Sequence, residues 1–295
     1  MASCYKVLSS NGFTNRAYRS LGNRIGARRR INRGFPQKYL DLGNELTLLF
    51  KNFCKMDLGE NMLELGTGWV HWFSIFTKLF RDAKITLFDV WDNRQLDPLK
   101  YYVSELSEKL SLQDAREKFK TEEIIKRILK SKLFDDLYKM LNFQYVIEKS
   151  GSLEKFPDSE FNTVFSVNVL EHIRENLLKG YIDDIYRILK PGGYSVHIID
   201  IADHYYYLMG GKHCCIKEYL KYSKKVWRLL FENKIQYINR IQFSEWNKLF
   251  EDSRFKKIYI KPYLISKNIR VHPDYENFDE SDIRCYKLCA VYMKE

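Results

Sequence analysis

Acidic residues are missing from the first 40 positions of this 295-residue chain, while nine Lys or Arg fall there: Lys6, Arg16, Arg19, Arg24, Arg28, Arg29, Arg30, Arg33 and Lys38. The other 40 basic residues face 38 acidic ones, so the formal net charge of +11 falls to +2 beyond the leader. That distribution argues against a nucleic-acid-binding body and places the basicity in an N-terminal arm. Long apolar runs are missing too. None approaches the ~18 residues a membrane span needs, and no secretory signal core is present, so neither insertion nor export is expected. Metal-ligand spacing is absent among the six cysteines at 4, 54, 214, 215, 285 and 289. The adjacent side chains of His213-Cys214-Cys215 point apart, so reduced thiols and no bound metal are expected. There is no repeat and no low-complexity segment.

What is present is a soluble, core-forming composition, 45% hydrophobic and 15% aromatic. The length suits one large α/β domain with appendages. The boundaries expected are 1–57 for the basic arm and a leading helix, and 58–295 for the main domain. The arm is either solvated along the domain or in contact with an anionic membrane surface, a phosphorylated acceptor or nucleic acid; an organellar transit peptide has the same Arg-rich, acid-free look. The expected location is cytoplasmic, including the inner face of the membrane.

Apolar periodicity gives the order of elements. Residues 36–55 read as a helix with Leu42, Leu46, Leu49, Phe50 and Phe53 at helical spacing. A strand at 62–65 meets Gly66-Thr67-Gly68, a helix follows over 69–80, and a second strand runs from 84 to 90 with Asp89 near its end. This is the βαβ rhythm of a parallel sheet. Residues 95–141 turn helical for longer than a crossover needs, starting at Asp97-Pro98, and read equally as a lid or as core. Strands are predicted at 143–147, 161–168 and 194–200. A helix over 175–189 is stopped by Lys190-Pro191-Gly192-Gly193. An aromatic and basic stretch, 203–233, reads as a second cover. Ser244 is the predicted cap of a helix ending at Phe250, and two closing segments, 255–264 and 284–293, read as an antiparallel pair.

The strands carry their polar residues at one end: Glu64 with Gly66, then Asp89, Asn168 and Asp200. Ligands of open α/β sheets bind outside the carboxyl ends of the strands. The loop ENMLELGTGWVHWF opens like a dinucleotide fingerprint, but His71 stands where that fingerprint has its third glycine. A P-loop is excluded, since no Gly-Lys-Ser or Gly-Lys-Thr follows the turn. What remains is a nucleoside cofactor without phosphates, which needs a glycine turn (Gly66, Gly68), a carboxylate for two ribose hydroxyls (Asp89) and an acidic group near an ammonium (Glu64).

The segments LELGTG, FDV-WDN, SLEKFPDSEFNTVFSVNVLEHI and YRILKPGGYSVHIID, in that order over residues ~60 to 200, resemble the successive motifs of class I S-adenosylmethionine-dependent methyltransferases. The resemblance implies a Rossmann-like α/β fold, a mainly parallel seven-stranded sheet with a terminal antiparallel strand pair and helical lid insertions at about 95–141 and 203–240. It implies S-adenosylmethionine as cofactor. By position, Gly66, Thr67 and Gly68 go under its methionine part with Glu64 nearby, Asp89 and Val90 go at the ribose, Ser152 and Leu153 beside the adenine, and Asn168 on the sulfonium side. Ser152 and Leu153 stand where the family often has an Asp-Ala pair, so its acidic adenine contact is missing or replaced, and Val70 replaces a common third glycine. The longer pattern GTGWVHW, DVWDNRQL, NVLEHI and IIDIADH is similar to bacterial methyltransferases associated with surface-polysaccharide and other secondary pathways. That implies a small-molecule, sugar or glycan acceptor.

A hydroxyl acceptor benefits from a base, and histidine suits that role near neutral pH. His204 is the preferred candidate, with Asp200 either orienting it or facing solvent; His172 reads as a base or as a residue with a structural or cofactor-side role. Tyr205, Tyr206, Tyr207, Trp227 and Trp246 read as core or as stacking surfaces for the acceptor, and Arg240 as an anion contact or a surface ion pair. Two further readings are an RNA methyltransferase, supported by the leader but not by the near-neutral body, and a catalytically inactive scaffold, opposed by Glu64, Gly66, Gly68 and Asp89.

Overall fold

A computed structural model describes residues 23, 25–55, 59–110, 115–208, 215–233, 237–266 and 269–295. Lys6, Arg16, Arg19 and Arg24 of the basic leader, Cys4 and the His213-Cys214 pair lie outside the described residues. Among the described residues no helix is long and apolar enough to cross a membrane.

Seven strands form one sheet: β1 (Glu60–Leu65), β2 (Ala83–Asp89), β3 (Phe143–Ile147), β4 (Phe161–Val167), β5 (Leu189–Asp200), β6 (Phe255–Leu264) and β7 (Cys285–Lys294). Their order is β3-β2-β1-β4-β5-β7-β6. β1 pairs in parallel with both β2 and β4, and β2 with β3, whereas β6 and β7 are antiparallel. This is the Rossmann-like class I methyltransferase architecture expected from the sequence. Between β1 and β4 the order reverses, which is where open α/β sheets leave a crevice for ligands.

The described residues divide into two compact units, one running from residue 23 to 167 with 187–196, the other of 168–186 and 197–295. In the first, helix α1 (Gln37–Phe53) buries Leu42, Leu46, Leu49 and Phe50, with the Phe50 ring edge-on to Phe165 of β4 at 5.5 Å. It meets α2 (Trp72–Phe80) at Gly43, where a Cβ would come within 2.9 Å of the Phe76 ring. Helix α2 starts three residues later than expected because Gly68 and His71 both have positive φ, +64° and +47°, which a right-handed helix cannot include. The long helical stretch resolves into α3 (Leu96–Lys109), α4 (Ala115–Lys130) and α5 (Phe134–Leu141). Of the apolar stripe that helical spacing predicts here, Leu99, Tyr102, Val103, Leu106 and Leu110, the first four are buried and pack as core, while Leu110, the cap of the helix, is half-buried. Pro98 stands in the first turn of α3, where its missing N–H has no helical acceptor to lose.

Helix α6 (Glu175–Ile188) leads to β5, which begins at Leu189 rather than at Tyr194. The strand includes Lys190-Pro191-Gly192-Gly193 because the backbone hugs β4: a Cβ on Gly193 would lie 3.0 Å from the Asn162 carbonyl oxygen, and Lys190 Nζ donates to Asn162 Oδ1 at 3.0 Å.

The second unit contains the short helices α7 (His204–Leu208) and α8 (Lys224–Leu230), then α9 (Phe243–Asp252) and α10 (Glu280–Arg284) beside β6 and β7. Ser244 lies inside α9, whose cap is Gln242; the Gln242 N–H donates to Glu245 Oε2 at 2.8 Å. Ser244 instead donates from its N–H and Oγ to the Asp282 carboxylate of α10, at 2.6 and 2.8 Å. Tyr219, Leu220, Trp227, Ile238 and Tyr275 form a separate aromatic core here, with Tyr205, Tyr222 and Phe231 against it.

Candidate active site

The glycine loop is held from both sides by carboxylates. Gly66 (φ +68°) and Gly68 (φ +64°) turn the chain off β1, and the Gly66 and Thr67 N–H groups both donate to the Phe88 carbonyl, at 2.8 and 3.1 Å. Asp89 ends β2 and lies beside this turn. Its Oδ2 accepts the Gly68 N–H at 2.9 Å, and its Oδ1 accepts those of Val90 and Trp91 at 2.7 and 3.2 Å. Those three bonds occupy three of the roughly four lone-pair positions of a carboxylate, leaving acceptor capacity for a ligand hydroxyl. Burial raises the Asp89 pKa against the lowering effect of the three N–H donors.

Glu64, 1% exposed, sits behind the loop. Its Oε2 accepts the hydroxyls of Thr67, at 2.9 Å, and Ser74. Burial pushes its pKa up to about 7. The carboxylate thus fixes the loop by its own side chain rather than presenting an open face.

His71 is the residue that most distinguishes this loop. It is fully buried, in a left-handed conformation ahead of α2, with Nδ1 2.9 Å from Thr67 Oγ1 and Nε2 2.8 Å from the Tyr138 hydroxyl of α5. Since the Thr67 hydroxyl donates to Glu64, it can only accept from His71, which assigns the proton to Nδ1 and makes Nε2 the acceptor of Tyr138 O–H. Burial first, and the Arg94 charge second, lower the His71 pKa to about 3, so the ring is neutral. A continuous relay Tyr138–His71–Thr67–Glu64 therefore fills the space that a third glycine leaves open, and it brings no positive charge for phosphates. By contrast a Cβ on Gly68 would meet nothing within 4 Å, so the outer face of the loop is open to a ligand.

Arg30 of the basic leader belongs to this neighbourhood. Its guanidinium lies 3.6 Å from the centroid of the Trp69 ring and donates to Gln95 Oε1 at 2.9 Å. Ser152 and Leu153 lie in the loop after β3. The Ser152 Oγ accepts the Glu154 N–H at 3.2 Å, while Leu153 is fully buried and its carbonyl accepts from Phe156 N–H at 3.0 Å and Arg187 at 3.1 Å.

In the second unit Asn168 follows β4 with φ +56° and donates its N–H to the Ile198 carbonyl at 2.8 Å. A 3-10 turn over Leu170–His172 comes next. Its His172 ring lies 4.9 Å, centroid to centroid, from His204 at the start of α7. The two histidines predicted separately from sequence are thus brought together. Asp200 accepts the Ala202 N–H at 3.0 Å and the Tyr207 hydroxyl at 3.3 Å, both on Oδ1. Trp227 and Trp246 are buried at 3% and 0% exposure, so they act as core and offer no stacking face. Arg240 is not a surface residue; its 10% exposed side chain pairs with Glu232 at 3.3 Å.

The contributions of Thr67 to the relay, of Tyr138 and of Glu171 beside His172 were not read from the sequence. The Glu171-His172 adjacency was visible in NVLEHI, but the Tyr138 contact spans 67 residues and carries no local signal.

The family profile described as a methyltransferase domain matches residues 15–260. No curated protein matches the chain. Among solved structures, a protein from Pyrococcus horikoshii OT3 is similar at 14% identity and TM-score 0.49, over 88% of this chain and 92% of that one. An S-adenosylmethionine-dependent methyltransferase from Methanosarcina mazei is similar at 14% identity and TM-score 0.46, over 83% and 96%. Phosphoethanolamine N-methyltransferase 2 of Haemonchus contortus, in complex with S-adenosylmethionine, is similar at 14% identity and TM-score 0.47, over 85% of this chain and 52% of that one.

Proposed function

The chain belongs to the methyltransferase-domain family, and from that premise we propose that it transfers the methyl group of S-adenosylmethionine to a hydroxyl of a sugar, a glycan or another small molecule. The observation that carries the donor reading is the Asp89 carboxylate bonded to Gly68 at the end of β2. It has acceptor capacity for a ribose hydroxyl, while the buried His71 ring occupies the place of the third glycine that a dinucleotide loop needs. The neutral His71 ring under the loop offers phosphates no compensating charge.

Bound at this cradle, S-adenosylmethionine supplies an electrophilic methyl on a positively charged sulfur. The chain's own residues have the tasks of binding, alignment and proton removal. Gly66, Thr67 and Gly68 admit the methionine portion, Asp89 and Val90 hold the ribose, Ser152 and Leu153 flank the adenine, and Asn168 is assigned to the sulfonium side. Methyl transfer to a hydroxyl would require that the acceptor's proton be removed. The His172–His204 pair is the group available to take that proton. The surface-polysaccharide setting, a cytoplasmic location and contact of the basic arm with an anionic surface belong to the same reading, supported by the sequence resemblance and the clustered charge of the first 40 residues.

The acceptor is tested by supplying methyl-labelled S-adenosylmethionine and the purified chain to a cell extract, then separating lipid, glycan, RNA and small-molecule pools. Label in the glycan or small-molecule pool, alkali-stable as an ether, is the expected result. Label confined to RNA would replace the reading by the RNA alternative.

A further inference from the structure

We propose that Glu171, His172 and His204 bind a divalent first-row metal ion, a site contrary to the absence of metal expected from the sequence. The three side chains offer one ligand atom each, and these atoms all lie within 4.8 Å of one another. A tetrahedral ion with bonds of about 2.0–2.2 Å draws its ligand atoms to about 3.4 Å apart. The remaining closure is at most about 1.4 Å, within the reach of side-chain rotation for a solvent-exposed His172 and a half-buried His204.

The surroundings are built to hold those ligands. His172 Nδ1 is 2.7 Å from the Tyr237 carbonyl oxygen, which can only accept, so the proton is on Nδ1 and the lone pair is on Nε2. A ring N–H donated to a backbone carbonyl is the usual way a ligating imidazole is oriented. The 3-10 turn that carries Glu171 and His172 is clamped by Asn239. Its N–H donates to the Glu171 carbonyl at 2.8 Å, and its side-chain amide donates to the Leu170 and Ile173 carbonyls at 2.9 and 3.1 Å. Glu171 itself is 2% exposed, so its orientation is set by packing.

Two imidazoles and one carboxylate suit zinc or a neighbouring transition ion, whereas magnesium and calcium prefer oxygen ligands throughout. Three protein ligands leave a position open for water or another oxygen donor. A hydroxyl of the acceptor in that position would lose its proton more readily, so the histidine pair would serve the same proton removal as ligands of the ion. This use rests on the proposed function, while the site itself does not.

The test uses the full chain stripped with a chelator and titrated with Zn2+ by calorimetry and with Co2+ by visible absorbance, beside H204A and E171Q, each first shown to unfold cooperatively on heating. Expected are one Zn2+ per chain, Co2+ bands of a nitrogen- and oxygen-ligated ion, and at least a 30-fold weaker Zn2+ affinity in both variants. Absence of stoichiometric binding in the wild-type chain, or wild-type affinity retained in either variant, as zinc held by Cys215 would give, overturns the proposal. S-adenosylhomocysteine binding is measured on the same samples. Its failure with zinc binding intact would sink the donor reading and leave the metal site standing.

Discussion

A histidine in the position of a glycine decides what the loop after β1 can hold. His71 adopts φ +47° at a cost of about 1–2 kcal/mol that glycine does not incur. In return its ring fills buried volume and bonds both Thr67 and Tyr138. The second effect is the larger: removing a buried ring and two buried hydrogen bonds costs about 3–5 kcal/mol for the cavity and orphaned partners. His71→Gly, although it restores the dinucleotide fingerprint, is therefore expected to lower the thermal midpoint, by a net of about 2–3 kcal/mol of stability. Denaturant unfolding checks this, and a variant as stable as the parent would show that the relay does not hold the loop. The sequence made Gly66, Gly68 and Asp89 legible because a tight turn and a strand-end carboxylate are local signals. The role of His71 was not, because its partner Tyr138 comes from a helix 67 residues away.

Elements were readable wherever hydrophobic period and length agreed. The strand at 143–147 and the closing antiparallel pair fall within a residue of expectation. Misplaced boundaries trace to tertiary contacts: α2 waits for His71, β5 starts early on the Asn162 backbone, and Ser244 bonds Asp282 rather than capping α9. The second unit also contains Lys217, fully buried, donating from Nζ to Gln242 Oε1 at 2.6 Å and to the Asp282 carbonyl at 2.7 Å. It ties the cap of α9 to α10. Burial lowers its pKa to about 8 from 10.5. Between these values the unfolded chain binds more protons than the folded one, so this group makes stability rise with pH, by at most about 1.4 kcal/mol per pH unit. Lys217→Met is expected to flatten that rise between pH 8 and 10.5, measured by urea unfolding at a series of pH values. An unchanged slope would mean the lysine titrates normally when folded.

At the scale of the whole molecule, four motifs in order along the chain carried the architecture, and the strand order β3-β2-β1-β4-β5-β7-β6 agrees with it. Charge segregation was equally legible, but the fate of the arm was not. Arg30 is half-buried against Trp69, a contact no composition statistic could reveal. The acceptor stayed hidden because, of the aromatics that suggested it, Trp227 and Trp246 are core and only Tyr207 is exposed. The central claim is that the loop between β1 and α2, with Asp89, holds a nucleoside sulfonium donor. Calorimetry on the full chain tests it most directly, using S-adenosylhomocysteine and NAD on the wild type and on D89A. The account predicts one S-adenosylhomocysteine per chain, about 10- to 100-fold weaker in D89A, and no measurable NAD binding; NAD bound in its place would contradict it.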